Sequence, residues 1–372
     1  MQKKIGFIRI AVFLSISLCV ISGCLTNILP VQQESVVSPH IKPGESTSVI
    51  EVTHTFPFED SMITITVPVN ASVYEGAKSA DKSITIYGNV SESIWIADSY
   101  RAMVFDPAQD QVFSDLITRF REIRNQKKLS DDEYIELLTV YTQSLAYESI
   151  GEKPAKFPVE TIVENAGDCD DKSLLLARLL SIDGYRVSLL SFKLESHMAV
   201  GIGSDNIQYK KTGYAYIEST NYSFVGIPPD TLQGEILLGS DPEIIPIGNG
   251  TRKYGSGSET WFINDTFTLT EQKAKELELI IKGMEPELQN KQQEISALEN
   301  KMNGLKKTGN IRDYNDLVSK HNILVSDYNT RLDSYRTFIS RYETYVTIHN
   351  YILSHQYDRK GVFEYIKQNM PD

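Results

Sequence analysis

The chain is poor in cysteine, in tryptophan and in basic charge. Its 372 residues hold three cysteines and two tryptophans, and 37 basic side chains stand against 49 acidic ones, a net charge of -12. Three cysteines exclude a disulfide-stapled mini-protein. The acidic balance excludes nucleic acid as the main partner, because phosphate binding needs a basic surface. Six histidines (His40, His54, His197, His321, His349 and His355) show no metal-ligand spacing, so neither a metal nor a cofactor is expected. What is present is apolar material, 41% of the residues, enough for a sizeable core and two or three folded units at about 100 to 200 residues each.

The first residues read as an address. Lys3 and Lys4 precede an uncharged stretch from Ile10 to Gly23 with the layout of a secretory signal peptide, residues 1–23. Ile21-Ser22-Gly23-Cys24 then resembles the lipobox of exported lipoproteins, which implies lipidation of Cys24. An uncleaved membrane anchor is the alternative, since no charge appears from Ile10 to Gln33. Both readings place the rest of the chain on the extracytoplasmic side of the cell membrane. Cys19 leaves with the signal, and a lipidated Cys24 leaves Cys169 as the one free thiol. Asn-X-Ser/Thr sequons at Asn70, Asn89, Asn221, Asn249 and Asn264 are glycosylation candidates that fit such a location.

Residues 24–48 mix Pro, Ser, Gln and Thr without periodicity and read as a lipid-anchored linker. Alternation over Val49 to His54 and Met62 to Val67, with a turn near Glu59-Asp60 and a further strand at Ser83 to Tyr87, predicts a β-containing leader, 49–105. Asp106-Pro107 and the capping box Ser130 to Glu133 each open a helix. A leucine-rich helix from Cys169 to about Ile182, a turn at Asp183-Gly184 and strands at 186–192, 197–202 and 214–218 complete a domain over 106–230. Residues 231–265 read as an irregular connection. Over 266–372 a capping box at Thr268 and Glu271 and a four-three repeat, with a kink expected at Pro286 and a turn at Thr308-Gly309-Asn310, predict a coiled-coil-like antiparallel helical hairpin. That hairpin either folds on itself or binds a partner or a second copy.

The chemistry gathers at Gly167-Asp168-Cys169-Asp170-Asp171-Lys172-Ser173. With Asp168 as N-cap, Cys169 lies in the first helical turn, where unpaired backbone N–H groups and the helix dipole favour a thiolate. Asp170 and Asp171 oppose this with their own charge, so a second supporting group is required. His197 on a following strand and Glu218 near the end of the next provide a base and a carboxylate to orient it. A small buried cysteine without reactivity is the alternative. Capping explains the three aspartates without a calcium ion, the other reading of that cluster.

The stretch FPVETIVENAGDCDDKSLLLARLLSIDGYRVSLL, followed by SHMAVGI and YAYIEST, resembles the core of the transglutaminase-like superfamily of papain-fold cysteine enzymes, over roughly residues 110–230. The resemblance implies an α+β fold with helices packed on an antiparallel sheet. It implies Cys169 as nucleophile, His197 as base and Glu218 as third member. That member is more often aspartate in the superfamily, which makes Asp205 the substitute. The Cys169 N–H is the natural oxyanion donor, with Gln143 on a preceding helix as a second candidate. The expected activity is attack on amide bonds of a protein or peptide at the cell surface through a thioester, resolved by water. The alternative is an inactive surface module that binds a partner through its C-terminal helices.

Overall fold

The computed structural model describes residues 35–149, 153–232 and 235–371, so the signal segment, Cys19 and Cys24 lie outside the described residues. The chain is mixed α+β and divides into two compact units: one runs to Trp261 and includes Tyr357–Arg359, and the other comprises Phe262–Gln356 and Lys360 onward. Among the described residues no helix is long and apolar enough to cross a membrane.

In the first unit, β1 (Ser35–Val37) lies within the expected linker and pairs antiparallel with β4 (Thr85–Tyr87). Nearby Ile41 is buried, and its N–H donates to Asp106 Oδ2 at 2.8 Å. Part of the linker is therefore built into the fold. β2 (Val49–Phe58) and β3 (Ser61–Asn70) form the expected hairpin around Glu59-Asp60. Val52, Phe56 and Phe58 face Ile65, Val67 and Val69 in the core, while Thr53–Thr66 and Thr55–Thr64 hydroxyl pairs run along the solvent face. Two helices went unanticipated here: α1 (Ala71–Ser79), capped by Asn70, and α2 (Glu92–Val104). α1 is short and α2, though apolar, carries weak helical periodicity, so packing decides both.

α3 (Asp110–Lys127) follows a 3₁₀ turn at Pro107–Gln109 capped by Asp106, and α4 (Asp131–Ser144) starts at the Ser130/Glu133 capping box. β5 (Ala146–Tyr147) and β6 (Ala166–Gly167) flank α5 (Pro158–Glu164) and pair parallel, which returns the chain to the end of α4 just before Cys169. α6 (Cys169–Ile182) has the expected bounds. Leu174, Leu175, Leu176, Leu179 and Leu180 are fully buried, so the helix is enclosed on all sides, and each such side chain stabilises by about 2 kcal/mol. It packs against α2, α4, α5 and the sheet that follows.

That sheet contains β7 (Val187–Phe192), β8 (His197–Gly203) and β9 (Tyr214–Ile217). A small hairpin of β10 (Thr231–Leu232) and β11 (Ile236–Leu237) comes next, and β12 (Glu243–Ile247) then adds to β7. The antiparallel order is β12-β7-β8-β9. Residues 231–265 thus contribute an edge strand, where Pro246 is tolerated because an edge leaves one N–H face unpaired.

The second unit is a helical hairpin. α7 (Gly257–Lys307) starts eleven residues before the expected capping box: Thr268 bonds back to the Asn264 carbonyl inside the helix and caps nothing. α7 also continues through Pro286. After the turn at 308–310, α8 (Ile311–Ser354) runs antiparallel, as ion pairs of Glu299 with His321, Lys291 with Asp327 and Glu287 with Arg331 require. Glu285 and Glu287 on either side of the proline bond to Tyr335 and Arg331 of α8. α9 (Arg359–Asn369) ends the chain.

Candidate active site

Cys169 is buried at the first position of α6. Asp168 Oδ1 accepts from the N–H groups of Asp170 (3.1 Å) and Asp171 (3.3 Å), and Asp171 Oδ2 accepts from Asp168 N (3.2 Å). Asp171 also receives the Lys156 N–H at 2.6 Å. Glycine is required at 167 by close approach, since a Cβ there would lie 2.6 Å from Asp171 Cβ. Burial, then the neighbouring Asp168, pushes the Asp171 carboxyl up, which weakens the charge that opposes a thiolate. Asp170 Oδ1 lies 3.4 Å from the sulfur and accepts the thiol hydrogen. One potential ligand atom from each of Asp168, Cys169 and Asp170 lies within 4.8 Å of the others, and Asp168 Oδ1 is engaged in capping.

His197 opens β8 and Glu218 follows β9, which brings imidazole and carboxylate together: His197 Nε2 is 3.6 Å from Glu218 Oε2. The closer partner is one sequence reasoning missed. Tyr216 hydroxyl lies 2.9 Å from His197 Nε2 and donates to Glu218 Oε2 at 2.8 Å. Because the phenolic hydrogen goes to the carboxylate, the phenolic oxygen accepts from Nε2–H, and Nδ1 is left as the basic nitrogen. Glu218 Oε1 accepts the Thr220 N–H at 2.9 Å. Burial raises the Glu218 pKa, but the bond and charge of His197, together with Thr220, outweigh it and hold the carboxyl at about 2. Tyr216 stays protonated: burial first, then Glu218 and Cys169, push it well above the usual phenol range.

The first turns of α6 are tied to these same strand ends. Ser173, one turn beyond Cys169, donates to the Met198 carbonyl at 3.3 Å, beside His197, and its hydroxyl pairs with that of Ser219. Lys172 is fully buried, and its ammonium donates to the carbonyls of Gln143 (3.1 Å), Leu145 (2.8 Å) and Thr220 (3.2 Å). Burial, only partly countered by Glu218, lowers its pKa to about 8. Charged lysine in a leucine-rich stretch looks like a solvated face, and only the three converging carbonyls reveal otherwise. Tyr216 and Thr220 carry a faint signal, since both stand two residues from Glu218.

Gln143 is placed otherwise than expected. Its amide nitrogen donates to the carbonyls of Glu218 and Ser223, both at 2.9 Å, so neither hydrogen remains for an oxyanion, and its Oε1 is buried without a partner. Around the thiol stand Tyr100 of α2 and Tyr147 of β5, whose pKa values rise through burial and then through charges that include Cys169. Asp205 lies beyond the other end of β8 and pairs with Lys253 at 2.7 Å, away from His197. Of the sequon asparagines, Asn70 caps α1, Asn89, Asn221 and Asn249 are exposed, and Asn264 is half-buried within α7. Comparison of the chain with protein-family models, with curated proteins and with solved structures finds no match.

Proposed function

We propose that the first unit is a cysteine acyl-transfer enzyme of the transglutaminase-like type, acting on amide bonds of a protein or peptide and most readily as a hydrolase. The observation that carries this reading is the His197–Tyr216–Glu218 group at strand ends to which the first turns of α6, bearing Cys169, are tied through Ser173 and Lys172. In the proposed reaction His197 Nδ1 takes the thiol proton and the thiolate sulfur bonds to the amide carbonyl carbon. The Cys169 N–H at the helix start supports the oxyanion. Collapse breaks the C–N bond, the imidazolium gives its proton to the leaving amine, and a thioester remains. Water, deprotonated by the same imidazole, then releases the acid and restores the thiol. Anchorage by the N-terminal segment would set this chemistry at the extracytoplasmic membrane surface.

The test is labelling of the full chain by an electrophilic thiol probe at neutral pH, with Cys169→Ala as the background. Cys169 is expected to react faster than a free thiol of ordinary pKa, and His197→Ala to lose that advantage while remaining folded. Labelling of the wild-type chain no faster than a free thiol overturns the proposal. A second reading, a non-catalytic module that docks a partner through the hairpin, is favoured by Leu279 and Ile323, which are 73% and 68% exposed there. Under that reading His197→Ala would leave partner affinity untouched.

A further inference from the structure

At the Gly203 end of β8, six residues from His197 and so about 20 Å along the strand, the first unit has a pocket of 410 Å³. Its walls include Arg186, Tyr214, Gly248, Asn249, Thr251 and Lys253. The guanidinium of Arg186 stands over the Tyr214 ring, 4.6 Å from the centroid. Its stem fills the space that Gly203 leaves open, where a Cβ would come within 2.9 Å of Arg186 Cδ. At Gly213, with φ +78°, a Cβ would stand 3.4 Å from Arg186 Nη2. The opposite wall is a glycine-rich loop pressed on the chain: a Cβ at Gly250 would lie 2.1 Å from the Tyr185 carbonyl oxygen. Two glycines and an aromatic ring therefore house this arginine closely.

Among the described residues its charge meets no carboxylate. Each of the seven other described arginines of this unit (Arg101, Arg119, Arg121, Arg124, Arg178, Arg252 and Arg359) pairs with a carboxylate. In a chain of net charge -12 carboxylates are plentiful, yet among the described residues none meets Arg186. A planar fork already immobilised by stacking loses little rotamer freedom when it binds, and its paired N–H groups match a carboxylate or a phosphate. Lys253 adds a second positive charge, shared with Asp205. The volume falls in the range of small-ligand pockets, about 300 to 1,000 Å³, and exceeds what a bare inorganic anion fills.

We infer that this pocket binds a small organic oxyanion, with a carboxylate or phosphate head on the Arg186 guanidinium and the body of the ligand along the 248–251 loop. The site is separate from the Cys169 centre and does not depend on its chemistry.

The experiment is isothermal titration of the full chain in detergent with citrate and, separately, with inorganic phosphate, at constant ionic strength. Saturable binding of at least one is expected, and which of the two binds identifies the head group. Arg186→Gln, which keeps most of the stem, should weaken that binding at least tenfold, with its thermal melt recorded alongside. Lys253→Gln, an exposed change that leaves the fold intact, should weaken it about threefold by loss of one screened charge. Absence of saturable binding by either anion, or wild-type affinity in a folded Arg186→Gln chain, overturns the inference. If Arg186→Gln does not fold, unchanged affinity in Lys253→Gln does so, and a threefold loss supports the site.

Discussion

Tyr216 donates its hydroxyl hydrogen to Glu218 Oε2 at 2.8 Å, and the phenolic oxygen itself lies 2.9 Å from His197 Nε2. The carboxylate thus reaches the imidazole chiefly through a phenol, with the direct approach at 3.6 Å. A phenol in this place sets the tautomer of the histidine and orients the ring without sharing its charge.

Tyr216→Phe removes that link and leaves only the long direct contact. The rate of thiol labelling or turnover should fall roughly tenfold, about 1.4 kcal/mol of barrier, and stability by about 1 to 3 kcal/mol, because the buried Glu218 carboxylate loses a donor. An unchanged rate at several pH values would show that the phenol does not position the histidine.

Glu218→Gln tests the carboxylate itself. Held at about 2 in the fold against 4.5 when unfolded, Glu218 contributes stability that is fully present above pH 4.5 and is lost as pH falls toward 2. The contribution is on the order of 3 kcal/mol, at about 1.4 kcal/mol per unit. Denaturant melts should show wild-type chain more stable than Glu218→Gln at pH 5.5, with the gap shrinking by pH 2.5. A gap that stays constant over that interval refutes an ionised, hydrogen-bonded Glu218.

Lys172→Met leaves three carbonyls without a donor and should destabilise the first unit by about 2 to 4 kcal/mol. The sign of its pH dependence is distinctive. A folded pKa of about 8 against 10.5 unfolded means that the folded state releases its proton first, so wild-type stability gains a rising component between pH 8 and 10.5. Melts of the methionine variant should lack that component. Because Lys172 holds the Thr220 carbonyl, and Thr220 holds Glu218, labelling at Cys169 should also slow more than in Leu180→Ala, a core change distant from the strand ends.

Arg359 is buried and donates through Nε to Glu136 Oε1 at 2.5 Å, where the Tyr254 hydroxyl also donates at 2.8 Å. Burial pushes Glu136 up to about 7 even with the guanidinium present to lower it. Arg359→Met should therefore cost about 3 to 5 kcal/mol. A raised folded pKa means stability is lost as pH climbs from 4.5 through 7, and removing the cation extends that loss upward. The penalty should be larger at pH 8 than at pH 5, and equal penalties would rule out this pairing as the cause.

Much of the fold was legible because local signals agreed with tertiary demand. The β2–β3 hairpin alternates about a two-residue turn, the Ser130/Glu133 box starts α4, and the leucine-rich stretch after Cys169 marks a helix enclosed by the core. Elements whose pattern was too short to stand alone were not legible: α1, α2 and α5, the strand at residues 35–37, and β12 with its proline. Each exists because a partner surface buries it. The large core cluster spanning Ile41 to Tyr254 likewise absorbs the leader and connection that composition sets apart.

At the site, the sequence by itself determined the residue types and their order: a cysteine capped by aspartate at a helix start, then a histidine and a glutamate at strand ends. Helix capping and strand alternation are local rules, and local rules can be read along a chain. Only the tertiary structure decided that Tyr216 carries the contact between His197 and Glu218, that Gln143 clamps a backbone in place of receiving an oxyanion, and that Lys172 is buried on three carbonyls. Those outcomes depend on which donors and acceptors meet across residues tens of positions apart. Burial makes each unpaired group expensive, so packing assigns most partners, and no spacing in the sequence records that assignment.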